Sequence, residues 1–521
     1  MSTASSTLIR PSRQSSEPTR HDRPPQDRAR RRFLWLCAAL LGAYGLIFAG
    51  FVPGRTDEYW DHTAAIHALQ ESFGQPAHPL LAGSPAGDRW FCPYLVALAG
   101  VSRLTGLSPV GVMKVGGLLN LLLLCWGLRA FARALFPARS APAWMLLTYL
   151  LFWTTRGAML RELAYSPASF VAAAGFLYWA LGARVFSANG RTAELAALAL
   201  GVVMWLSHQL AATVVFASVA ILAAVVHDAP TARRWRFGLG VPVAAVLLGE
   251  LWPYYSSLRL VWASGMQYGA GAPALNIWRE LSIYLALLGP NLIGIGLLAW
   301  RRAATAGERF LKLTAALFGL AWAALLAIRS PYHTAAMLAM GNASALWVGH
   351  ELSGGVPGRS PAWLRPGLLA CLGLAVALQV KFTAGWFHQM YGTPDGARYR
   401  QMLAEYPRVA QALGPSAVVF SDVWTAWQLP TFGGKVVTRP PGHEVDYHLS
   451  WAEQQRRVQD VERFFAPGTS EAARRELIAR YGATHVLLNR VLAPGAGRRL
   501  EGVAHPIMST PHLTLLRVDR P

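Results

Sequence analysis

Apolar runs of bilayer length recur through the first three quarters of the chain, separated by short arginine-bearing segments. The pattern predicts spanning helices near 33–51, 110–130, 141–155, 164–182, 193–207, 210–226, 237–252, 276–299, 311–328, 332–350 and 366–384, about eleven in all. The apolar stretch from Pro93 to Gly106 is too short for a span and reads as an interfacial or re-entrant piece. Residues 1–32, rich in Ser, Pro and Arg and lacking an apolar face, read as a disordered basic tail. From about residue 385 the pattern changes. Charge, Pro and Gly rise, and short apolar strands at Ala417–Phe420, Lys435–Thr438 and His485–Asn489 alternate with helical stretches, which predicts a separate α/β domain over 385–521.

Composition agrees with a bilayer as the main solvent. The chain has 521 residues, of which 53% are hydrophobic and 14% charged, against about 25% charged in a soluble domain. The formal charge of +21 would raise the question of nucleic acid in a soluble protein. Here the arginines are placed by topology. Arg28 and Arg30–Arg32 precede the first span, and the alternate loops holding Arg129, Arg133 and Arg139, then Arg184 and Arg191, then Arg233, Arg234 and Arg236, then Arg301 and Arg302, all fall on the same side. That arrangement puts the N-terminus in the cytoplasm of a multi-pass inner (plasma) membrane protein and excludes a nucleic-acid partner as the reason for the charge. It also leaves 52–109 as a long first outer loop and the C-terminal domain extracytoplasmic. The four cysteines show no C-x-x-C spacing, and neither a disulfide framework nor a zinc site is expected.

The first outer loop opens with Thr56-Asp57-Glu58-Tyr59-Trp60-Asp61-His62, directly after the first span. Carboxylates beside hydrocarbon are costly unless they work or pair. On a helix Asp57 faces Asp61 and Glu58 faces His62, each at i and i+4. Asp57 is the first candidate for a general base, the alternative being an N-cap of the next helix. Asp57, Asp61 and His62 also offer oxygen and nitrogen ligands to a divalent metal, although the set lacks a diagnostic spacing.

Farther along come Gln75-Pro76-Ala77-His78-Pro79-Leu80 and Asp88-Arg89-Trp90-Phe91-Cys92-Pro93-Tyr94. An acidic pair after the first span, then His-Pro-Leu, then an aromatic apolar run into the second span, resembles the GT-C superfamily of polyprenyl-phosphate-dependent glycosyltransferases. Protein O-mannosyltransferases and bacterial aminoarabinose transferases are the most similar members. The resemblance implies a multi-spanning GT-C fold, with Asp57 as catalytic base or acceptor ligand and Glu58 and His78 near the substrates. Ala417–Trp424, Leu429-Pro430, Gly434–Val437 and Arg480–Val486 look like the outer α/β domain of such proteins. The Trp-Trp-Asp motif of oligosaccharyltransferases is missing, and Trp424 and Trp427 are expected to pack against the membrane domain.

Arg156, Arg161, Arg259 and Arg329 break the basic-inside pattern. A donor phosphate would give fixed guanidinium groups a role, and snorkelling to headgroups is the plainer reading. Arg329, followed by Tyr and Pro near a late span, most resembles a donor-phosphate motif of these families. His208 sits at a short outer turn, where it could meet phosphate or acceptor or simply satisfy the turn. Asn342-Ala343-Ser344 matches a glycosylation sequon but lies inside a span. The expected protein is a membrane glycosyltransferase taking a polyprenyl-phosphate sugar and a glycan, lipid or protein acceptor. A transporter of an anionic or lipid-linked solute and an inactive GT-C-like scaffold are the alternatives.

Overall fold

The computed structural model describes residues 25–54, 58–84, 89–152, 163, 166–187, 190–227, 229–269, 281–282, 288–328, 330, 332–354, 361–440, 449–491 and 500–519. In chain order the helices of the first part are α1 (Pro25–Ala49), α2 (Tyr59–Glu71), α3 (Pro93–Thr105), α4 (Pro109–Leu135), α5 (Ala141–Leu151), α6 (Pro167–Ser187), α7 (Arg191–Ser207) and α8 (Gln209–Val225). Then come α9 (Thr231–Trp235), which runs through a π turn at Arg236–Gly240 into α10 (Val241–Gly249), and α11 (Ser257–Gly269), α12 (Asn291–Trp300), α13 (Ala306–Ala327), α14 (His333–Leu352) and α15 (Leu364–Phe387).

Five of these have the length and composition to cross a membrane: Asp27–Ala49, Pro109–Leu135, Pro167–Phe186, Ala306–Ala327 and Leu364–Gly392. The shorter helices Ala141–Leu151, Gln209–Val225 and Asn291–Trp300 are apolar as well. The count is therefore below the expected eleven among the described residues, for reasons a hydropathy window does not see. The predicted 237–252 span opens in the π turn and leaves only Val241–Gly249 as α-helix, and 276–299 runs largely through residues outside those described. Helix α14 is long enough, yet it is buried on nearly all sides and carries His333, Ser344, His350 and Glu351 inside the bundle. Pro93–Thr105 is helical and too short to span, as its length foretold.

The basic tail ends earlier than expected. Helix α1 already begins at Pro25, so the Arg28–Arg32 run is helical rather than disordered. Arginine is a good helix former, and Asp27 in the first turn meets the positive end of the helix dipole. The turns downstream are held by packing, with Phe33 buried and the Arg129 guanidinium 5.6 Å from its ring.

Small residues let the bundle close, as lipid-embedded helices require. A Cβ on Gly294 of α12 would lie 2.6 Å from the Ser344 carbonyl oxygen of α14, and one on Gly349 would lie 2.6 Å from Cα of Met145 on α5. Two polar groups inside the bundle pair across helices. Thr305 and Glu308 form a capping box at the start of α13, and Glu308 also meets His350 Nε2 at 2.9 Å. Ser344 of the apparent sequon has no exposed surface.

Beyond α15, a π turn at His388–Gly392 leads to α16 (Pro394–Gln411), β1 (Val418–Phe420), α17 (Val423–Gln428), β2 (Lys435–Val436), α18 (Trp451–Phe465), α19 (Glu471–Tyr481), β3 (His485–Asn489), β4 (Ala504–Ser509) and β5 (Leu513–Val518). The strands form one sheet in the order β2-β1-β3-β5-β4, parallel across β2-β1-β3 and antiparallel across β3-β5-β4. The three apolar strands coincide with the predicted ones. The β4–β5 hairpin was not anticipated, because β4 is an exposed edge strand with Pro506 and a bulge next to it.

That hairpin is tied to α16 through Glu405. His512 Nδ1 lies 2.6 Å from its carboxylate, the His512 backbone N–H donates at 3.1 Å, and the Thr510 hydroxyl donates as well. Burial alone would raise the Glu405 pKa, but these hydrogen bonds outweigh it and hold the carboxyl below its ordinary value. The stabilisation is therefore present above the unfolded-state carboxyl pKa and lost as pH falls through the lower folded value. Protection factors, exchange rates corrected for the intrinsic pH dependence, should fall at the β4–β5 amides on acidification before those of β3 respond, and Glu405→Gln should remove that pH dependence. An unchanged acid profile in the variant would show that another group controls the hairpin.

Candidate functional site

The acidic segment after α1 forms the start of α2. Asp61 N–H and His62 N–H both donate to the Glu58 carbonyl, at 3.0 and 3.4 Å, so the expected helical register of Glu58 and His62 is present. Glu58 occupies the N-cap position and makes no side-chain cap. Residues 55–57 lie outside the described residues, and Asp57 with them. Both flanks are held by hydrogen bonds. Tyr391 donates to the Gly50 carbonyl, Tyr399 to Pro53 at 3.1 Å and Trp60 Nε1 to Gly54 at 2.8 Å, while Tyr59 on the other flank donates to Val110 at 2.9 Å.

Asp61 has no exposed surface. Its Oδ1 accepts from Trp427 Nε1 at 2.5 Å, and its Oδ2 lies 3.4 Å from Arg439 Nη1, so both oxygens face donors of the C-terminal α/β domain. One turn on, Thr63 Oγ1 lies 2.7 Å from Thr431 Oγ1. Trp60, Ala64, Leu80 and Leu81 share one apolar cluster with Tyr399, Tyr406, Trp427 and Val436, so loop and domain have a common core.

Beside this contact stands Trp90, with the Arg89 guanidinium 4.6 Å and that of Arg439 5.7 Å from its ring, and the His62 ring edge-on at 5.8 Å. Asp61 is thus paired and His62 is set against an indole, while Asp57, the third member of the expected metal set, lies outside the described residues. Among the described residues no group of three or more His, Cys, Asp or Glu is placed to hold a metal ion.

His78 is 2% exposed and builds a turn. Its Nδ1 accepts the backbone N–H groups of Leu80 and Leu81, at 3.2 and 2.9 Å. That turn delivers Leu81 to a parallel bridge with Val436 of β2, and Arg457 donates to both Ala82 and Val437 carbonyls, at 3.2 and 3.1 Å. His78, expected near the substrates, thus fastens the loop through its Nδ1. His208 likewise caps α8, its Nδ1 accepting from Ala211 N–H at 3.1 Å. Arg259 is exposed on α11, which the preceding loop brings beside the first long loop through Trp252 Nε1 to Phe91 at 3.0 Å and the Tyr254 hydroxyl to Phe73 at 2.6 Å. Arg156, Arg161 and Arg329 lie outside the described residues.

Trp427 does pack on the rest of the protein as expected, whereas Trp424 is 41% exposed. Arg89, Arg439 and Thr431 were not anticipated. Asp61 and Arg439 are separated by 378 positions, and no local pattern announces such a pair.

No family model and no curated protein sequence matches the chain. Solved structures do. The arabinofuranosyltransferase AftD from Mycobacteria superposes with a TM-score of 0.58 at 15% identity, over 94% of this chain and 40% of its own length. ArnT from Cupriavidus metallidurans superposes with a TM-score of 0.55 at 13% identity, over 94% of this chain and 98% of its own. The chain spans well under half of AftD and nearly the whole of ArnT. The chain shares the fold of these two proteins, and among the described residues five helices are long and apolar enough to cross a membrane.

Replacing His78 leaves two buried backbone donors without their acceptor, a loss of about 1–3 kcal/mol per orphaned group. His78→Ala should lower the thermal unfolding temperature in detergent and speed exchange at Leu80 and Leu81, and His78→Asn, which keeps a side-chain acceptor, should lose less. Equal effects of the two substitutions would point to ring packing instead.

Proposed function

We propose that the protein transfers a sugar from a polyprenyl-phosphate donor to a cell-envelope glycan, lipid or protein acceptor on the outer face of the inner membrane. The observation that carries this reading is the position of the acidic segment in a GT-C fold. It lies between the end of the first spanning helix and a helix buried against the α/β domain, with its flanks tied to both. A reaction at the membrane surface needs such a place, where a lipid-borne donor and a water-borne acceptor can meet.

In this reading Asp57 takes the proton of the acceptor hydroxyl. The freed oxygen attacks the anomeric carbon, the bond from that carbon to the phosphate oxygen breaks, and polyprenyl phosphate departs carrying the electron pair, with inversion at the sugar. The charge that grows on the phosphate calls for fixed cations, and Arg329, Arg156, Arg161 and Arg259 are assigned that role. The N-terminus is cytoplasmic and the α/β domain extracytoplasmic, where it helps admit the acceptor.

The test is transfer of labelled sugar from synthetic polyprenyl-phosphate donors by purified protein, with and without EDTA. Asp57→Asn should lower kcat by about two to four orders of magnitude, and Arg329→Gln should raise donor KM or lower kcat. An Asp57→Asn protein with full activity removes the base assignment. No transfer by the wild type across a broad donor and acceptor panel overturns the reading as a whole.

A further inference from the structure

We propose that Asp61 and Arg439 are a positioning pair, which sets the C-terminal α/β domain in register on α2 and so fixes the start of that helix at Glu58 and the Trp90 cluster for sugar transfer. The proposal rests on the glycosyltransferase reading for its kinetic part and on geometry alone for its docking part.

The burial of the pair and the apolar character of the seam around it lead to it. Asp61 is wholly buried and Arg439 is 6% exposed, so the pair is withdrawn from solvent. Desolvating two charges costs about as much as their attraction returns, so a buried ion pair is a poor means of adding stability. Its better attested use is to select one arrangement among several, because any slip leaves a charge buried without its partner. Apolar contacts between Trp60, Leu80, Leu81 and the α/β domain supply adhesion but little direction.

The pair is also where three parts of the site join. Asp61 is on α2 less than one turn beyond Glu58, whose carbonyl accepts its backbone N–H. Trp427, which shares the Asp61 carboxylate, comes from α17, and Arg439 follows β2. The Arg439 guanidinium in turn lies 5.7 Å from the Trp90 ring, which Arg89 and His62 also approach. A displacement of the domain on α2 therefore moves Arg439 relative to Trp90. Asp61 and Arg439 act on transfer through these neighbours and are not themselves assigned contact with the reacting atoms.

The double variant Asp61→Asn/Arg439→Met removes both charges while keeping an acceptor for Trp427, so neither charge is stranded. It is to be studied as full-length protein in detergent by thermal unfolding, by hydrogen exchange at the Ala82 and Val436 amides of the loop-to-sheet bridge, and by transfer kinetics. The positioning role predicts an unfolding temperature close to wild type, several-fold faster exchange at the bridge, and kcat reduced by about a hundredfold, with donor KM changed by less than about twofold.

Exchange and kcat both at wild-type values overturn the proposal. So does a fall in kcat without faster exchange, since the pair then does not act through docking, and so does loss of bridge protection in step with the unfolding temperature, which marks plain anchoring. Arg439→Lys covers the case of a double variant that does not fold. It keeps the charge opposite Asp61, so bridge protection and kcat should both fall less than in the double variant and should change together, and a fall in kcat with bridge protection intact overturns the proposal. Should the wild type transfer no sugar, the glycosyltransferase reading fails, and the exchange measurement still decides whether the pair sets the docking.

Discussion

A carboxylate without exposed surface, Asp61, stands where the helical bundle meets the sheet-bearing domain. Removing such a group from water is costly unless hydrogen-bond donors replace the lost hydration. The fold supplies Trp427 and Arg439, both from the far end of the chain. Much else near the site depends on this requirement. Helix α2 cannot turn about its axis without exposing Asp61 to apolar neighbours, so the faces bearing Trp60, His62 and Thr63 are set as well. The same requirement holds the domain over the first long loop, where the Thr63–Thr431 contact and the Leu81–Val436 bridge complete the seam.

Inside the bundle the governing terms are different. Lipid gives helices little hydrophobic reason to associate, so close approach and polar pairing take over. Gly294 and Gly349 bring α12 and α5 against α14, and that helix can carry ionisable residues because it is enclosed by protein. Glu308 and His350 satisfy each other between α13 and α14, near the capping box that starts α13. These contacts lie at the C-terminal end of α14, whereas His333 starts that helix at its other end. The bundle is thus fastened in part by polar pairs on its own helices.

Several features of the site were readable because their signals are local. The i and i+4 relation of Glu58 and His62 follows from helical geometry alone and is present in α2. His208 at a short turn between two apolar runs is a capping residue, one of the two roles its position allowed. His78 was harder. Its motif suggested a substrate contact, whereas the hydrogen bonds that its Nδ1 accepts from backbone donors within three residues became visible only in the fold. Arg439 offered no signal, since one more arginine in an arginine-rich chain is not distinguished by its neighbours.

By itself the amino-acid sequence determined that this is a multi-pass membrane protein with an acidic segment after its first span, and where the apolar strands of its terminal domain lie. Hydropathy, helical period and strand alternation are sums over neighbouring residues, so they survive without knowledge of the fold. Only the tertiary structure decided that α14 is enclosed rather than lipid-facing, that the basic run before Phe33 is helical, and that Asp61 answers to Trp427 and Arg439. A buried charge takes its partner from whatever the packing brings within hydrogen-bond reach, and separation along the chain has no bearing on that choice.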